Sequence, residues 1–373
     1  MKKKSPLLGN LLVSSFTIVF TLLLLEIFFH FFAPQIHQHH QLFQMDQTLG
    51  WTFIPKKTAT IRYEEEVNNQ IRINENGFRY PLKNGDKKKK IFVIGDSFVS
   101  NIAVEESAVF TNVLAAKFND VSVYNYGVNG YSLVQDYLLL QHLLAKEKPD
   151  LIVVNVFLGN DFIENTTANW LLPRPIASLD SITQVLQIMP PAFKEGFDYQ
   201  PKESLEHFSH LWAFTKRKLN NIKARFSKEK QYVLQEQFFC APNPEAVFIQ
   251  QLRILKELIK TIASYTRENQ CEILFTLAPT IVQVEEIFWQ KFLTQYADQA
   301  KQFNRDLINK NLMEFALAKN IKMLDFFPSL YQAMDKNEAT LYFSKEQHWT
   351  EKGNQLVADV LYDYLRLNYA GFN

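Results

Sequence analysis

A chain of 373 residues that is 47% apolar and 14% aromatic has enough hydrophobic surface to bury one large core, which excludes a disordered polymer. Its 40 basic and 39 acidic residues leave a formal charge of +1, so no global field drives it onto nucleic acid, and none is expected as a partner.

In chain order, residues 1–34 read as a cytoplasmic tip and a transmembrane anchor. Lys2, Lys3 and Lys4 precede "LLGNLLVSSFTIVFTLLLLEIFFHFFAP", in which Leu11 to Ala33 is almost continuously apolar and long enough to cross about 30 Å of hydrocarbon. A secretory signal peptide carries a shorter core and a small-residue cleavage motif, so an uncleaved helix in contact with membrane lipid is expected. The lysines favour a cytoplasmic N-terminus, which places the rest of the chain on the extracytoplasmic side of the cytoplasmic membrane. Glu26 and His30, one turn apart in the span, read either as a functional intramembrane pair or as groups near its outer end that pack against a partner helix.

Residues 35–87 predict a stalk and a small β-hairpin. The cluster "HQHH" (His37 to His40) suits a weak metal contact or a solvated stalk, and Trp51 is expected near the headgroups. Alternation in "TIRYEEE" and "QIRINENGF", closed by Asn76-Gly77, predicts the hairpin. The run "KNGDKKKK" (Lys83 to Lys90) reads as a solvated approach to the first central strand, or as a patch for substrate or lipid headgroups.

Strand-like and helical segments then alternate. "IFVIG" (Ile91 to Gly95) precedes a helix around Ala108 to Phe118, "VSVYN" (Val121 to Asn125) and a helix over Leu133 to Lys146. "DLIVVNVF" (Asp150 to Phe157) is apolar throughout, as a parallel strand buried on both faces requires. Later come a helix from Ala246 to Tyr265, the strand "EILFTLA" (Glu272 to Ala278), a helix over Phe288 to Ala318, the short strand "IKMLDF" (Ile321 to Phe326) and a last helix over Lys352 to Leu367. This alternation predicts a three-layer α/β/α sandwich around a mostly parallel sheet, over residues 88–161 and 245–368. Residues 162–244 are too long for an ordinary loop and predict a helical insertion or lid. Its basic stretch "KRKLNNIKARFSKEK" (Lys216 to Lys230) suits anionic lipid, glycan or plain solvation. Cys240 and Cys271 have no metal or redox spacing and read as free or bonded to each other.

A ligand site in an open α/β sheet lies beyond the carboxyl ends of the strands. Ser97, Gly130 and Asn160 follow such ends, and His348 lies in the last loop before the C-terminal helix. A serine hydroxyl attacks once a histidine removes its proton, and the oxyanion that forms needs donors aimed at it. Ser97 fits the nucleophile, His348 the base, and the backbone N–H groups of Ser97 and Gly130 with the Asn160 amide the donors. Taken singly, Ser97 would equally cap a helix and Gly130 serve a tight turn.

Four blocks in order, "GDSF", "NYGVNGYS" (Asn125 to Ser132), "FLGND" (Phe157 to Asp161) and "EQHWTEKG" (Glu346 to Gly353), resemble those of the SGNH (GDSL-type) hydrolases, over residues 88 to 366 apart from the insertion. The resemblance implies an esterase or acyltransferase with Ser97, Gly130, Asn160 and His348 in the roles just given. Where family members place an aspartate two or three residues before the histidine, this chain has Lys345 and Glu346; Glu346 is the expected orienting acid and Asp325 a second candidate. No cofactor and no metal are implied. On the far side of a membrane the expected substrate is an O-acylated, above all O-acetylated, envelope glycan. A lipid ester and a catalytically inactive glycan-binding or assembly role are the alternatives; an envelope-assembly or acyl-donor partner in the membrane is expected, and an acetyl transferase would need that donor partner or an external donor.

Overall fold

The apolar run ending in Gly95 forms the strand around which the molecule is built. The computed structural model describes residues 6–33, 42–63, 66–81, 87–167, 173–193, 209–226, 240–241, 246–335 and 340–372. Five parallel strands make the central sheet: Lys89–Gly95, Val121–Gly127, Leu151–Phe157, Glu272–Ala278 and Met323–Asp325. Among the described residues three antiparallel hairpins lie outside it, Phe43–Asp46 (β1) with Gly50–Phe53 (β2), Thr58–Tyr63 (β3) with Val67–Arg72 (β4), and Ile176–Leu179 (β8) with Leu186–Met189 (β9). In chain order the sheet strands are therefore β5, β6, β7, β10 and β11, and their spatial order is β6-β5-β7-β10-β11. That order reverses direction between β5 and β7, the point beyond whose carboxyl ends open α/β sheets bind their ligands.

The helices are Pro6–Phe32 (α1), Ser97–Ser100 (α2), Phe110–Lys117 (α3), Leu133–Leu144 (α4), Asp161–Glu164 (α5), His210–Phe226 (α6), Ala246–Glu268 (α7), Ile281–Val284 (α8), Glu286–Gln295 (α9), Leu307–Ala318 (α10), Phe327–Asp335 (α11) and Glu351–Asn368 (α12). Helices α3 and α12 pack together on one face of the sheet, and α4 and α7 on the other. The stripe Phe248, Leu255, Ile259 and Ile262 is why α7 buries one side: residues three and four apart share a helix face. Helix α4 opens on a capping box in which the backbone N–H of Ser132 donates to Gln135 at 3.0 Å. Every residue of β7 before Phe157 is buried, as its unbroken apolar sequence requires.

The structure departs from the sequence reading in several places. The helix expected over Phe288 to Ala318 breaks between α9 and α10, where the Phe303 ring packs tilted against Phe292 at 4.9 Å. Trp51 is 2% exposed, a core residue of β2 rather than a headgroup anchor. The segment expected as a helical insertion contains the β8–β9 hairpin as well as α6. Cys240 and Cys271 are both buried and are not joined by a disulfide. The His37 to His40 cluster lies outside the described residues.

Among the described residues, one helix is long and apolar enough to cross a membrane: α1 over Gly9–Phe32, mean hydropathy 2.3, unburied along its length. Its Glu26 faces the start of α6. The carboxylate accepts from the Ser209 hydroxyl at 2.6 Å and from the backbone N–H groups of His210 and Leu211 at 2.6 and 3.0 Å.

Candidate active site

Helix α2 begins immediately after β5, and its N-cap is Asp96, whose Oδ1 accepts the Phe98 N–H at 2.9 Å. The turn sits so low on the sheet that a Cβ on Gly95 would lie 2.7 Å from Val99 Cγ2 and 3.0 Å from the Asn155 carbonyl oxygen. Only glycine lets the strand pass straight into this turn. The result lifts half-buried Ser97 to the end of the sheet while Phe98, 2% exposed, points inward.

Each of the other three loops touches this turn. The Ser100 hydroxyl donates to Asn129 Oδ1 at 2.7 Å, which ties in the loop bearing Gly130, a glycine at φ +76°. The Asn160 amide lies beside the Asp96 carboxyl, and Asn160 Oδ1 is buried with no hydrogen-bond partner. The Phe98 ring packs 4.8 Å from the His348 imidazole and 4.8 Å from Trp349, and 4.0 Å from Phe157 at the end of β7. The Asn101 amide closes the junction by donating to the Trp349 carbonyl at 3.1 Å. Ser97, Gly130, Asn160 and His348 thus stand on four loops joined around one turn.

His348 lies in a tight return of the chain: Phe343 N–H donates to the His348 carbonyl at 2.9 Å, and Thr350 N–H to Leu341 at 2.9 Å. Thr350 then caps α12. Between Glu346 and His348, Gln347 adopts φ +69°, and the bend turns the Glu346 carboxylate back onto its neighbour. Glu346 Oε1 is 2.6 Å from His348 Nδ1, and Oε2 accepts the His348 N–H at 3.1 Å. With Nδ1 engaged, Nε2 is the atom that can take a proton. Asp325 is occupied elsewhere, accepting from Asn309 at 2.7 Å and from the Phe327 N–H at 3.0 Å.

Electrostatics follow from this placement. Burial disfavours the imidazolium, but the Glu346 carboxylate, and after it the charge of Asp96, outweigh burial and hold His348 above its ordinary pKa. Asp96 itself is pushed up to about 6 by burial, against the pull of the Phe98 N–H and of His348. Asp136 and Asp161, both buried, are raised by burial first and then by the neighbouring carboxyls.

Sequence reasoning missed three residues, all from the segment before β5. The Glu66 carboxylate accepts the Ser344 hydroxyl at 2.6 Å and the N–H groups of Ser344, Lys345 and Glu346 at 3.1, 3.0 and 3.1 Å, gripping the turn that presents Glu346. The buried Arg79 guanidinium donates to the carbonyls of Ser100, Asn101 and Val104 at 3.3, 2.9 and 3.3 Å, holding the exit of α2; burial lowers its pKa to about 10. Trp51 Nε1 donates to the Asn129 carbonyl at 3.0 Å and its own carbonyl accepts from the Tyr131 hydroxyl at 2.7 Å, bracketing Gly130. No spacing in the sequence signals these contacts, since the last glutamate of an acidic run, a single arginine or a tryptophan beside a hairpin reads as surface.

Among solved structures the chain is similar to a lipolytic protein of the G-D-S-L family from Veillonella parvula (14% identity, 75% of this chain and 98% of that one, TM-score 0.39). It is also similar to an acetyl xylan esterase (10% identity, 74% and 99%, TM-score 0.40) and to a psychrotrophic esterase from a Pseudoalteromonas species (11% identity, 75% and 98%, TM-score 0.37). No curated protein matches it. The family model of the GDSL-like lipases and acylhydrolases matches residues 91–361, from within β5 to within α12 and across all four loops, and the chain belongs to that family.

Proposed function

We propose that the protein is a membrane-anchored serine esterase or O-acyltransferase that acts on O-acyl groups, foremost acetyl, of an envelope polysaccharide. The observation that carries the reading is the Glu346 carboxylate on His348 Nδ1 at 2.6 Å, with the imidazole packed on the residue next to Ser97. An acid that orients a histidine and stabilises its protonated form is what a serine nucleophile needs from its base.

In the proposed reaction the Ser97 Oγ–H proton passes to His348 Nε2 as Oγ bonds to the ester carbonyl carbon. The N–H groups of Ser97 and Gly130 and the Asn160 amide receive the negative oxygen. The C–O bond to the alcohol breaks as His348 returns the proton to it, leaving acyl-Ser97. Water, or a sugar hydroxyl in the transferase case, then attacks the acyl carbon by the same route and restores Ser97. A transferase would take its acyl group from a donor partner in the membrane.

Anchoring through α1 is supported by the Glu26 contacts, because a leader destined for removal has no reason to be built into the fold through three hydrogen bonds. The domain reading that accompanies this function is an anchor (1–34), a segment of hairpins (35–87), a catalytic body (88–161 and 245–368) and an inserted segment (162–244).

The full chain in detergent should hydrolyse p-nitrophenyl acetate faster than long-chain p-nitrophenyl esters. Ser97→Ala and His348→Ala should each lower turnover by at least about 10²-fold while the fold is retained. A preference for long acyl chains would move the assignment to lipid esters, and retained turnover in Ser97→Ala would contradict the mechanism.

A further inference from the structure

Glu26 lies about 9 Å inside the Phe32 end of α1, six residues at the helical rise. A carboxylate at that depth lacks water to accept from, and here the opening of α6 supplies the donors: the Ser209 hydroxyl and the backbone N–H groups of His210 and Leu211. Helix starts carry such unpaired N–H groups and a positive end of the helix dipole, so one contact satisfies both elements. Phe29 against Phe214 at 4.7 Å and His30 against His210 at 5.2 Å extend the junction. The start of α6 is therefore fixed at the level of Glu26, within the apolar end of the span and not above it.

The composition of α6 suits that level. Trp212 and Leu219 are 45% and 50% exposed, and Lys216 and Lys218 are exposed on the same helix. Its sequence "HLWAFTKRKLNNIKARF" holds five basic residues and no acidic one. Exposed apolar groups interleaved with cations belong at a headgroup boundary, where the rings and aliphatic chains enter the acyl region and the cations meet phosphate. We propose that α6 is an interfacial helix. Trp212 and Leu219 sit at the acyl boundary of the leaflet at the Phe32 end of α1, Lys216 and Lys218 bind anionic phospholipid headgroups, and Glu26 sets the depth. The inference rests on the reading of α1 as a membrane span and is independent of the chemistry at Ser97.

The test is a nitroxide on Leu219→Cys, or on Val19→Cys as the reference for α1, in the full chain with Cys240→Ser and Cys271→Ser, reconstituted into bilayers. Collisions with oxygen and with an aqueous nickel complex report depth. The label at 219 should favour oxygen in phosphatidylcholine mixed with phosphatidylglycerol and lose that preference in phosphatidylcholine alone. Lys216→Glu with Lys218→Glu should abolish the dependence on phosphatidylglycerol, and Glu26→Leu should move the label toward water. A label at 19 in hydrocarbon with a label at 219 in water in every bilayer overturns this inference and leaves the anchor standing; water at both positions removes the anchor as well. Shielding of the 219 label by added polygalacturonate, with no response to phosphatidylglycerol, overturns it in favour of a glycan surface.

Discussion

At Gln347 the backbone takes a left-handed conformation that costs a residue with a side chain about 1–2 kcal/mol. The bend brings both oxygens of Glu346 onto His348, one on the ring and one on the backbone N–H, so the extra methylene relative to aspartate is absorbed by the turn. The sequence shows the glutamate but not the bend, because a left-handed glutamine has no signature in composition or periodicity. The consequence is a pH effect with a definite sign. In the proposed mechanism the base must be neutral to act, so turnover should rise with pH through the His348 pKa, which Glu346 holds high. Glu346→Gln removes that charge, so the acidic limb of the pH–rate profile should move to lower pH while the plateau falls by about 10²-fold or more. An unmoved limb would show that Glu346 does not govern the imidazole. Asp96 offers a test through stability. Its folded pKa of about 6 lies above the unfolded value, so the native state holds the proton more tightly and stability is lost as pH rises from about 4 to 6. Asp96→Asn keeps an acceptor for the Phe98 N–H; its melting temperature should match the parent at pH 4 and exceed it at pH 8, and a lower value at both would contradict this account of Asp96.

Among the elements, the parallel strands were legible because burial on both faces leaves unbroken apolar runs such as "LIVVNVF". The β1–β2 hairpin was not, since each strand has four residues, too short for the alternation in "FQMD" and "WTF" to stand out from a loop. The break between α9 and α10 was also hidden, because the aromatic residues that pack across it, Phe292, Tyr296 and Phe303, keep a helix-like spacing. Yet β1 to β4 and the loops beside them brace three of the four site loops, through Trp51, Glu66 and Arg79. These three residues precede the stretch that matches the family model. Glu66→Gln leaves the site residues intact but weakens the grip on the turn at Ser344 to Glu346. It should lower kcat by about 10- to 10²-fold with little change in KM, and shift the acidic limb in the same direction as Glu346→Gln. A loss confined to thermal stability, with kcat and the limb unchanged, would show that the brace does not act on the site.

On the scale of the whole molecule, the sheet order changes direction between β5 and β7, where open α/β sheets bind ligands, and the segments after those strands carry Ser97 and Asn160. The four loop motifs were legible from their order and spacing; how they are held was not, since the Phe98 ring and the contacts around Asp96 depend on tertiary packing. In the proposed membrane span the Glu26 carboxylate lies near the Phe32 end, and the hydrogen bonds from the start of α6 offset the cost of holding it there. The acid that the sequence offers as half of an intramembrane pair, or as a packing group near the outer end of the helix, is bonded to the start of α6, which in the proposed topology joins anchor to body. The central claim is that Ser97 is a nucleophile activated by His348. The most direct measurement is reaction of the folded full chain with a fluorophosphonate, followed by peptide mass spectrometry. The account predicts a single adduct on the peptide containing Ser97, absent in Ser97→Ala and formed at least about 10²-fold more slowly in His348→Ala. A folded chain that takes no adduct, or takes it on another serine, would contradict it.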